Sequence, residues 1–129
     1  MVKIAEFATR IKNASQAKLE KVDVPSSKIR QGIADVLKEE GFIRNYKIVR
    51  DGRQGVMRLY LKYTESGEPL VTQILRASRS GRRLYVSSDK IPKVRTGFGI
   101  SILSSNKGII SGKTAEEKKL GGELLLKIW

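Results

Sequence analysis

The stretch Lys107–Thr114, K-G-I-I-S-G-K-T, is the first place where residue types and spacing suggest chemistry. A glycine-rich turn ending in Gly-Lys-Thr is typical of a phosphate-binding loop, whose backbone N–H groups surround a nucleotide phosphate. That loop needs four residues between its first glycine and the Gly-Lys pair, whereas three separate Gly108 from Gly112. Two of those three are isoleucines, which favour an extended backbone. The pattern therefore predicts a tight turn at Asn106–Gly108 between two antiparallel strands, with nucleotide binding as the alternative.

The composition argues against other catalytic sites. The chain contains no cysteine and no histidine, so it lacks a thiolate nucleophile, the usual general base and the commonest metal ligands. The adjacent carboxylates Glu39-Glu40 and Glu116-Glu117 lie on predicted helices and point in different directions, so neither pair can form a catalytic dyad. We therefore expect no enzyme, no catalytic residue, no metal and no cofactor.

Charge is the strongest compositional signal. The 129 residues include 26 Lys and Arg against 13 Asp and Glu, a formal net charge of +13. Between Val71 and Lys113, nine basic residues stand against the single acid Asp89. Such an excess predicts a polyanionic partner, either nucleic acid or an acidic membrane surface, with a solvated basic surface as the alternative. The sequence has no membrane-spanning apolar run and no signal peptide pattern, so we expect a soluble protein of the cytoplasm or an organellar matrix.

Hydrophobic spacing predicts helices and strands in the first half of the chain. Apolar residues at three- and four-residue spacing predict a helix over 4–14 and a second helix capped by Ser26 or Ser27. Gly41 is expected to end the second helix, whose buried stripe comprises Ile29, Ile33, Val36 and Leu37. Alternation predicts strands over 22–24, 42–50 and 56–63, the last two joined by a turn at 51–55.

The second half is predicted to be richer in short strands. They cover 70–76, 84–86, 100–104, 109–111 and 123–128, with a brief helix over Ala115–Leu120 capped by Thr114 and a packed C-terminal Trp129. The turn at Ser66–Pro69 divides the chain into residues 1–65 and 66–129. The predicted fold is α+β, an N-terminal α-β-α-β-β lobe packed against a smaller, mostly antiparallel β C-terminal lobe with one short helix.

The turn that begins at Ser104 presents two hydroxyls, an amide and a cation. Such short donors and acceptors suit the base edges, 2′-hydroxyls and phosphates of irregular RNA. Tyr85 lies in a basic stretch and could either stack on an unpaired base or pack half-buried in its strand. The neighbouring arginines, expected either to contact phosphate or to form a solvated loop, are Arg79, Arg82 and Arg83.

Six stretches together resemble the bacterial-type small-subunit ribosomal protein number eight. The resemblance extends over the whole length of the chain. The C-terminal stretches are similar to the family patterns I-S-T-S-K-G-(I/V)-M-T and G-G-E-(V/I)-L followed by a closing aromatic residue. The matching segments are Thr9–Ala14, Val36–Ile43, Arg79–Val86, Asp89–Val94, Leu103–Ser111 and Gly121–Leu125.

The resemblance implies a structural constituent of the small ribosomal subunit. Members of that family are primary RNA-binding proteins that grip an irregular helix in the central domain of small-subunit ribosomal RNA and aid subunit assembly. Glu123 is expected to orient the loop Ser104–Gly108 or to accept a hydrogen bond from a base amino group. Carried over by position, the RNA-binding residues are Ser104, Ser105, Asn106, Lys107 and Gly108, supported by Tyr85, Gly121, Gly122 and Glu123, with a second region of Thr9, Arg10 and Asn13 and the basic residues Arg79, Arg82, Arg83 and Lys93.

The resemblance also implies the partners. They are small-subunit ribosomal RNA, neighbouring ribosomal proteins (numbers five and twelve) and the protein's own messenger RNA, with no membrane and no small-molecule substrate. The expected location is a cytoplasmic or organellar ribosome. A general polyanion or architectural DNA binder is the alternative function. The chain departs from the family pattern where Ser104-Ser105-Asn106 replaces Ser-Thr-Ser and Ile110–Lys113 replaces Met-Thr-Asp-Arg.

Overall fold

The computed structural model describes residues 2–50, 52, 55–79, 81–94 and 99–129, and within them the chain forms three helices and eight strands. The helices are α1 (Val2–Gln16), α2 (Lys28–Glu39) and α3 (Gly112–Lys118). The strands are β1 (Lys21–Pro25), β2 (Ile43–Val49), β3 (Val56–Leu61), β4 (Ile74–Arg76), β5 (Tyr85–Val86), β6 (Ile100–Ser105), β7 (Gly108–Ser111) and β8 (Gly122–Ile128).

The strands form two antiparallel sheets. The first sheet has the order β1-β3-β2, and the second has the order β4-β8-β6-β7, with β5 also pairing to β8. The α+β class is therefore confirmed, and the first five elements follow the predicted order α-β-α-β-β. Of the predicted turn at 51–55, residues 51, 53 and 54 lie outside the described residues.

Helix α2 is capped as predicted, and its buried stripe differs from the prediction at Ile29. Ser27 rather than Ser26 is the N-cap, because its hydroxyl accepts a hydrogen bond of 3.2 Å from the Arg30 backbone N–H. Gly41 follows the helix with φ +80°, a left-handed conformation that suits glycine. The prediction that Ile29 is buried is wrong, since 44% of it is exposed. The predicted burial of Ile33, Val36 and Leu37 is confirmed, and Arg30 and Ala34 are buried with them.

Arg30 is buried because its guanidinium has a local acceptor. Only 5% of the residue is exposed, and Nη1 donates a hydrogen bond of 2.6 Å to the Pro25 carbonyl at the end of β1. A charged group can leave water only when such partners replace its hydration. The contact fixes the start of α2 against the first sheet.

Helix α3 begins earlier than predicted and uses another cap. The N-cap is Ser111, whose hydroxyl accepts a hydrogen bond of 3.2 Å from the Thr114 N–H, so the predicted Thr114 cap is wrong. The helix starts at Gly112, where a Cβ atom would lie 2.1 Å from the Ser101 hydroxyl oxygen. A side chain at position 112 would displace the Ser101 hydroxyl, so α3 packs closely on β6 at this glycine. The predicted tight turn before it is confirmed, because β6 and β7 are antiparallel with Ser105 opposite Gly108.

The hydrophobic core continues from one sheet to the other. Leu59 of β3 and Ile102 of β6 are both fully buried and belong to the same cluster, together with Leu126 and Ile128 of β8. The C-terminus is packed, as predicted, because the Trp129 carbonyl and N–H are hydrogen-bonded to the Gln73 backbone at 2.9 and 3.1 Å. The division into residues 1–65 and 66–129 stays a prediction.

We predict that the chain unfolds in a single transition, and that truncating one buried side chain of this core, on either sheet, destabilises the whole chain. Leu59→Ala and Ile128→Ala each remove a fully buried side chain, and each should lower the free energy of unfolding by about 2–5 kcal/mol. Leu75→Ala is the control, since 47% of that residue is exposed, and its effect should be about 0.5 kcal/mol. Urea unfolding followed by circular dichroism measures all three. Two separate transitions, each moved by one substitution alone, would contradict the shared core.

Candidate nucleic-acid interface

Three residues far apart in the sequence form one row across the second sheet. Strand β8 lies between β5 and β6, and the register places Tyr85 opposite Glu123 and Glu123 opposite Ser104. Adjacent strands are about 4.8 Å apart and directly opposed residues point to the same face. The sheet therefore brings together Tyr85, Glu123 and Ser104, which the sequence analysis selected separately.

Two glycines allow these strands to approach. A Cβ atom on Gly122 would lie 2.3 Å from the Ser104 carbonyl oxygen, and one on Gly121 would lie 2.7 Å from the Val86 carbonyl oxygen. Both distances are shorter than a side-chain carbon can tolerate against backbone. The Gly121-Gly122 pair is thus needed to hold the ends of β5 and β6 close to the start of β8.

The turn between β6 and β7 is stiffened by its own serine. The Ser105 hydroxyl donates to the Gly108 carbonyl at 2.9 Å and accepts from the Lys107 N–H at 3.1 Å. Gly108 has φ +110°, which a residue with a side chain rarely adopts. Asn106 and Lys107 are exposed at the tip. Because the single Ser105 hydroxyl proton is used inside the turn, that oxygen can only accept from a bound molecule.

A carboxylate at the centre of the row holds the neighbouring loop. Glu123 Oε2 accepts hydrogen bonds from the Ser78 hydroxyl and, at 3.1 Å, from Arg83 Nη1. The Ser78 oxygen in turn accepts from the Leu84 N–H at 3.1 Å. Ser78 is 7% exposed. We call Ser78, Glu123 and Arg83 the carboxylate clamp. It ties Ser78, Arg83 and Leu84, which precede Tyr85, to strand β8.

The clamp also keeps Glu123 ionised. Burial raises the pKa of this carboxyl, but the hydrogen bonds from Ser78 and Arg83 outweigh it, and the net pKa lies below the ordinary value. Both donors belong to the segment before Tyr85, so Glu123 orients that segment, and its side chain makes no hydrogen bond to the loop Ser104–Gly108 among the described residues. The two expected roles of Glu123, orienting that loop or accepting from a base, stay predictions. Sequence reasoning missed Ser78, because nothing in the pattern distinguishes a clamp serine from any other serine in a turn-rich segment.

The side chains beside the clamp are open to solvent. Tyr85 is 68% exposed, so the alternative of half-buried packing is wrong. Arg79 and Arg82 are exposed and close a tight turn by two backbone hydrogen bonds of 3.1 and 2.9 Å between them. A free aromatic ring next to exposed guanidinium groups can stack on a base while the cations meet phosphates.

The second predicted region lies next to this surface. A groove of about 370 Å³ between α1 and the β4 region is lined by Thr9, Lys12 and Asn13 on one side and by Arg76 and Arg79 on the other. Arg79 belongs both to the groove and to the tight turn before Tyr85. The structure thus places Thr9 and Asn13 in the same groove as Arg79.

Two predicted residues lie elsewhere. Arg10 points away from the groove, because its guanidinium donates to the Glu6 carboxylate at 2.9 Å and to the Asp23 carbonyl at 3.0 Å. Lys93 lines a separate cavity of about 530 Å³, together with Lys113. The structure does not place either residue in the row or in the groove.

The described residues offer little for other kinds of site. None of their helices is long and apolar enough to cross a membrane. They contain no group of three or more His, Cys, Asp or Glu side chains that could hold a metal ion.

Comparison with known proteins gives the family. The family model described as Ribosomal protein S8 matches residues 3–129. The curated protein named small ribosomal subunit protein uS8 from Bdellovibrio bacteriovorus is 59% identical over 126 residues, which is 98% of each chain. Proteins of the same name from Geobacter sulfurreducens and Streptococcus agalactiae are 52% and 47% identical, each over 98% of this chain and 96% of the relative. The chain therefore belongs to the ribosomal protein S8 family.

Proposed function

We propose that this protein is a structural constituent of the small ribosomal subunit that binds small-subunit ribosomal RNA through the row Tyr85–Glu123–Ser104 and the turn beside it. The observation that carries the RNA-binding part is the register of β5, β8 and β6. It gathers an exposed aromatic ring and the stiff turn Ser104–Gly108 on one sheet. Relatives of this protein are named small ribosomal subunit protein uS8.

The arrangement suits an irregular RNA helix. Unpaired bases there can turn out of the stack, and Tyr85 offers a flat exposed ring to receive one. The exposed turn offers Asn106 as donor and acceptor and Lys107 as a cation. A regular duplex keeps its bases stacked and would use only the cations. Such a site discriminates by RNA shape.

The groove along α1 extends the proposed RNA surface. Arg79 is shared between the groove and the tight turn, so one RNA molecule can follow the cations from Thr9 and Asn13 to Tyr85. In our proposal the RNA is the central domain of small-subunit ribosomal RNA. Neighbouring ribosomal proteins, with numbers five and twelve as the proposed contacts, and the protein's own messenger RNA are further proposed partners.

Family membership argues against the enzymatic alternative. Ribosomal protein S8 is a structural family, and the protein is not an enzyme. The phosphate-loop likeness has a different cause, since Gly112 is the first residue of a helix packed against Ser101. An architectural DNA binder would need no shape-selective turn.

We predict that Tyr85→Ala weakens binding to a central-domain RNA fragment about five- to hundredfold, because a stacking partner of a base is lost. The control is Leu19→Ala, which removes an exposed apolar side chain remote in sequence from the row and should leave the affinity unchanged. Filter binding across a salt series measures both, with a perfect RNA duplex and a DNA duplex as comparison ligands. Equal affinities for the fragment and both duplexes would refute the proposed function.

We predict that Ser78→Ala opens the carboxylate clamp. The Leu84 N–H loses its acceptor and Glu123 loses a donor, so the protein should lose about 1–3 kcal/mol of stability. The pKa of Glu123 should rise, because one of the two bonds that lower it is gone. RNA affinity should fall about tenfold as Tyr85 loses its fixed position. Carboxyl NMR titration and RNA binding are measured on the same sample.

The matched control for the clamp is Ser88→Ala. Ser88 lies in the turn after β5, and its hydroxyl makes no hydrogen bond within the described part of the chain. The Ser88→Ala substitution should leave both the pKa of Glu123 and the RNA affinity unchanged. If Ser78→Ala moves the pKa of Glu123 while RNA affinity stays the same, the clamp does not position the RNA site.

We predict that Ser105→Ala weakens RNA binding about five- to thirtyfold, equivalent to roughly 1–2 kcal/mol. The turn loses both hydrogen bonds of the hydroxyl, and the tip residues lose their fixed direction. Ser105→Thr is the control, since threonine keeps the hydroxyl and should bind normally. Calorimetry with the same RNA fragment measures both variants. A Thr variant as weak as the Ala variant would show that the side-chain shape matters and the hydroxyl does not.

A further inference from the structure

The outer face of the first sheet carries a basic and aromatic surface that the site described above does not use. Along β3, Met57, Leu59 and Leu61 are buried under the helices, while Arg58 and Tyr60 alternate with them and are half-buried on the opposite face. The registers of β1 and β2 on β3 extend that face by two rows. They are Lys21–Tyr60–Asn45 and Asp23–Arg58–Lys47.

The acidic residue on this face is already neutralised. Arg58 binds Asp23 with two bonds, Nε to Oδ1 at 2.9 Å and Nη2 to Oδ2 at 3.2 Å. The hydrogen bond from Arg58 also lowers the pKa of the Asp23 carboxyl. Lys21 and Lys47 are exposed and form no ion pair with any carboxylate among the described residues. The two lysines therefore leave the face positively charged.

The two lysines flank an aromatic ring. Lys21 is directly opposite Tyr60 in the register, and Lys47 reaches over the ring with its Nζ 6.0 Å from the centroid. This distance is at the outer limit of a cation–π contact, so the contact is weak and the ring is available to a better partner. On the other side of Tyr60 lies Asn45, whose side-chain oxygen accepts a hydrogen bond of 2.8 Å from the Tyr46 N–H. Its amide N–H groups donate to no acceptor among the described residues and can donate to a ligand.

Aromatic and cationic groups side by side on a sheet match one class of ligand. Single-stranded nucleic acid is bound where a base stacks on an aromatic ring and adjacent phosphates meet cations. An acidic peptide would use the lysines alone and would gain nothing from the ring between them. The face is separate from the row in the second sheet, so it could bind RNA at the same time.

We propose that this face of the β1-β3-β2 sheet binds an unpaired segment of RNA, with a base stacked on Tyr60 and the flanking phosphates beside Lys21 and Lys47. This second surface goes beyond the proposed function, because the RNA helix bound at the row does not need it. It would let the protein join the helix to a single-stranded segment that lies at a distance from it.

The test uses the full chain already bound to the central-domain RNA fragment, titrated with a ten-nucleotide oligouridylate. Binding is followed by the NMR shifts of the backbone amides of Lys21, Arg58 and Tyr60. Tyr60→Ala should weaken this binding about fivefold or more, and Tyr60→Phe should retain it because the ring remains. The affinity of each variant for the fragment itself is recorded separately, so a failure of the proposed function is recognised independently.

Charge variants complete the test. The double substitution Lys21→Gln/Lys47→Gln should reduce the slope of log affinity against log salt by about 1.4, since each phosphate contact in single strands contributes about 0.7. The control is Lys38→Gln/Lys118→Gln, which removes the same charge from exposed positions on α2 and α3 and should leave the slope unchanged.

Three results would overturn the proposal. The first is the absence of shifts at the three amides while the fragment stays bound. The second is an equal decrease, in both double lysine variants, of the slope of log affinity against log salt, which would indicate a general effect of net charge. The third is that poly-glutamate produces the same shifts with an affinity that Tyr60→Ala does not change, which would assign the face to an acidic protein partner.

Discussion

Strand β8 is the constraint on which the site depends. It pairs with β4, β5 and β6, so its first residues must lie close to two other strand ends. Only glycine at 121 and 122 leaves room for that approach. The later residues of the same strand, Leu126 and Ile128, enter the core shared with the first sheet. Strand β8 thus fixes both the core and the position of the row Tyr85–Glu123–Ser104, the proposed RNA-binding site.

Charge explains why the row needs a clamp. The chain carries +13, and the arginines before Tyr85 repel one another across a tight turn. Glu123 is placed where it neutralises Arg83 and holds Ser78 and Leu84. Arg79 and Arg82 remain exposed for an external anion. The Glu123 carboxylate therefore orders the segment before Tyr85, and in doing so it neutralises the charge of Arg83.

Local patterns in the sequence predicted most of the elements. Helix α2 and strand β3 carry strong periodicities, and their caps and faces follow from nearby residues. The errors arose where tertiary contacts decide. Ile29 lies at the margin of the buried stripe, and Arg30 is buried instead because the Pro25 carbonyl accepts a hydrogen bond from its guanidinium group. Helix α3 starts at Gly112 because Ser111 caps it, and Gly112 packs close to Ser101, a neighbour that no local pattern reports.

The site was predicted as separate pieces. Tyr85, Glu123 and Ser104 were selected by residue type and by resemblance. Their common row depends on the register between strands, which cannot be read from the sequence. Ser78 could not be found, since its role depends on a carboxylate 45 positions away along the chain. Arg10 was included by position in the helix, and its bonds to Glu6 and to the Asp23 carbonyl follow from contacts visible only in three dimensions.

Ultraviolet cross-linking of the full chain to the central-domain RNA fragment, with mass spectrometry of the linked peptides, tests the central claim most directly. Our account predicts cross-links at Tyr85 and within Ser104–Gly108. Cross-links confined to Gly112–Thr114, or their absence from both predicted segments while the RNA remains bound, would contradict it.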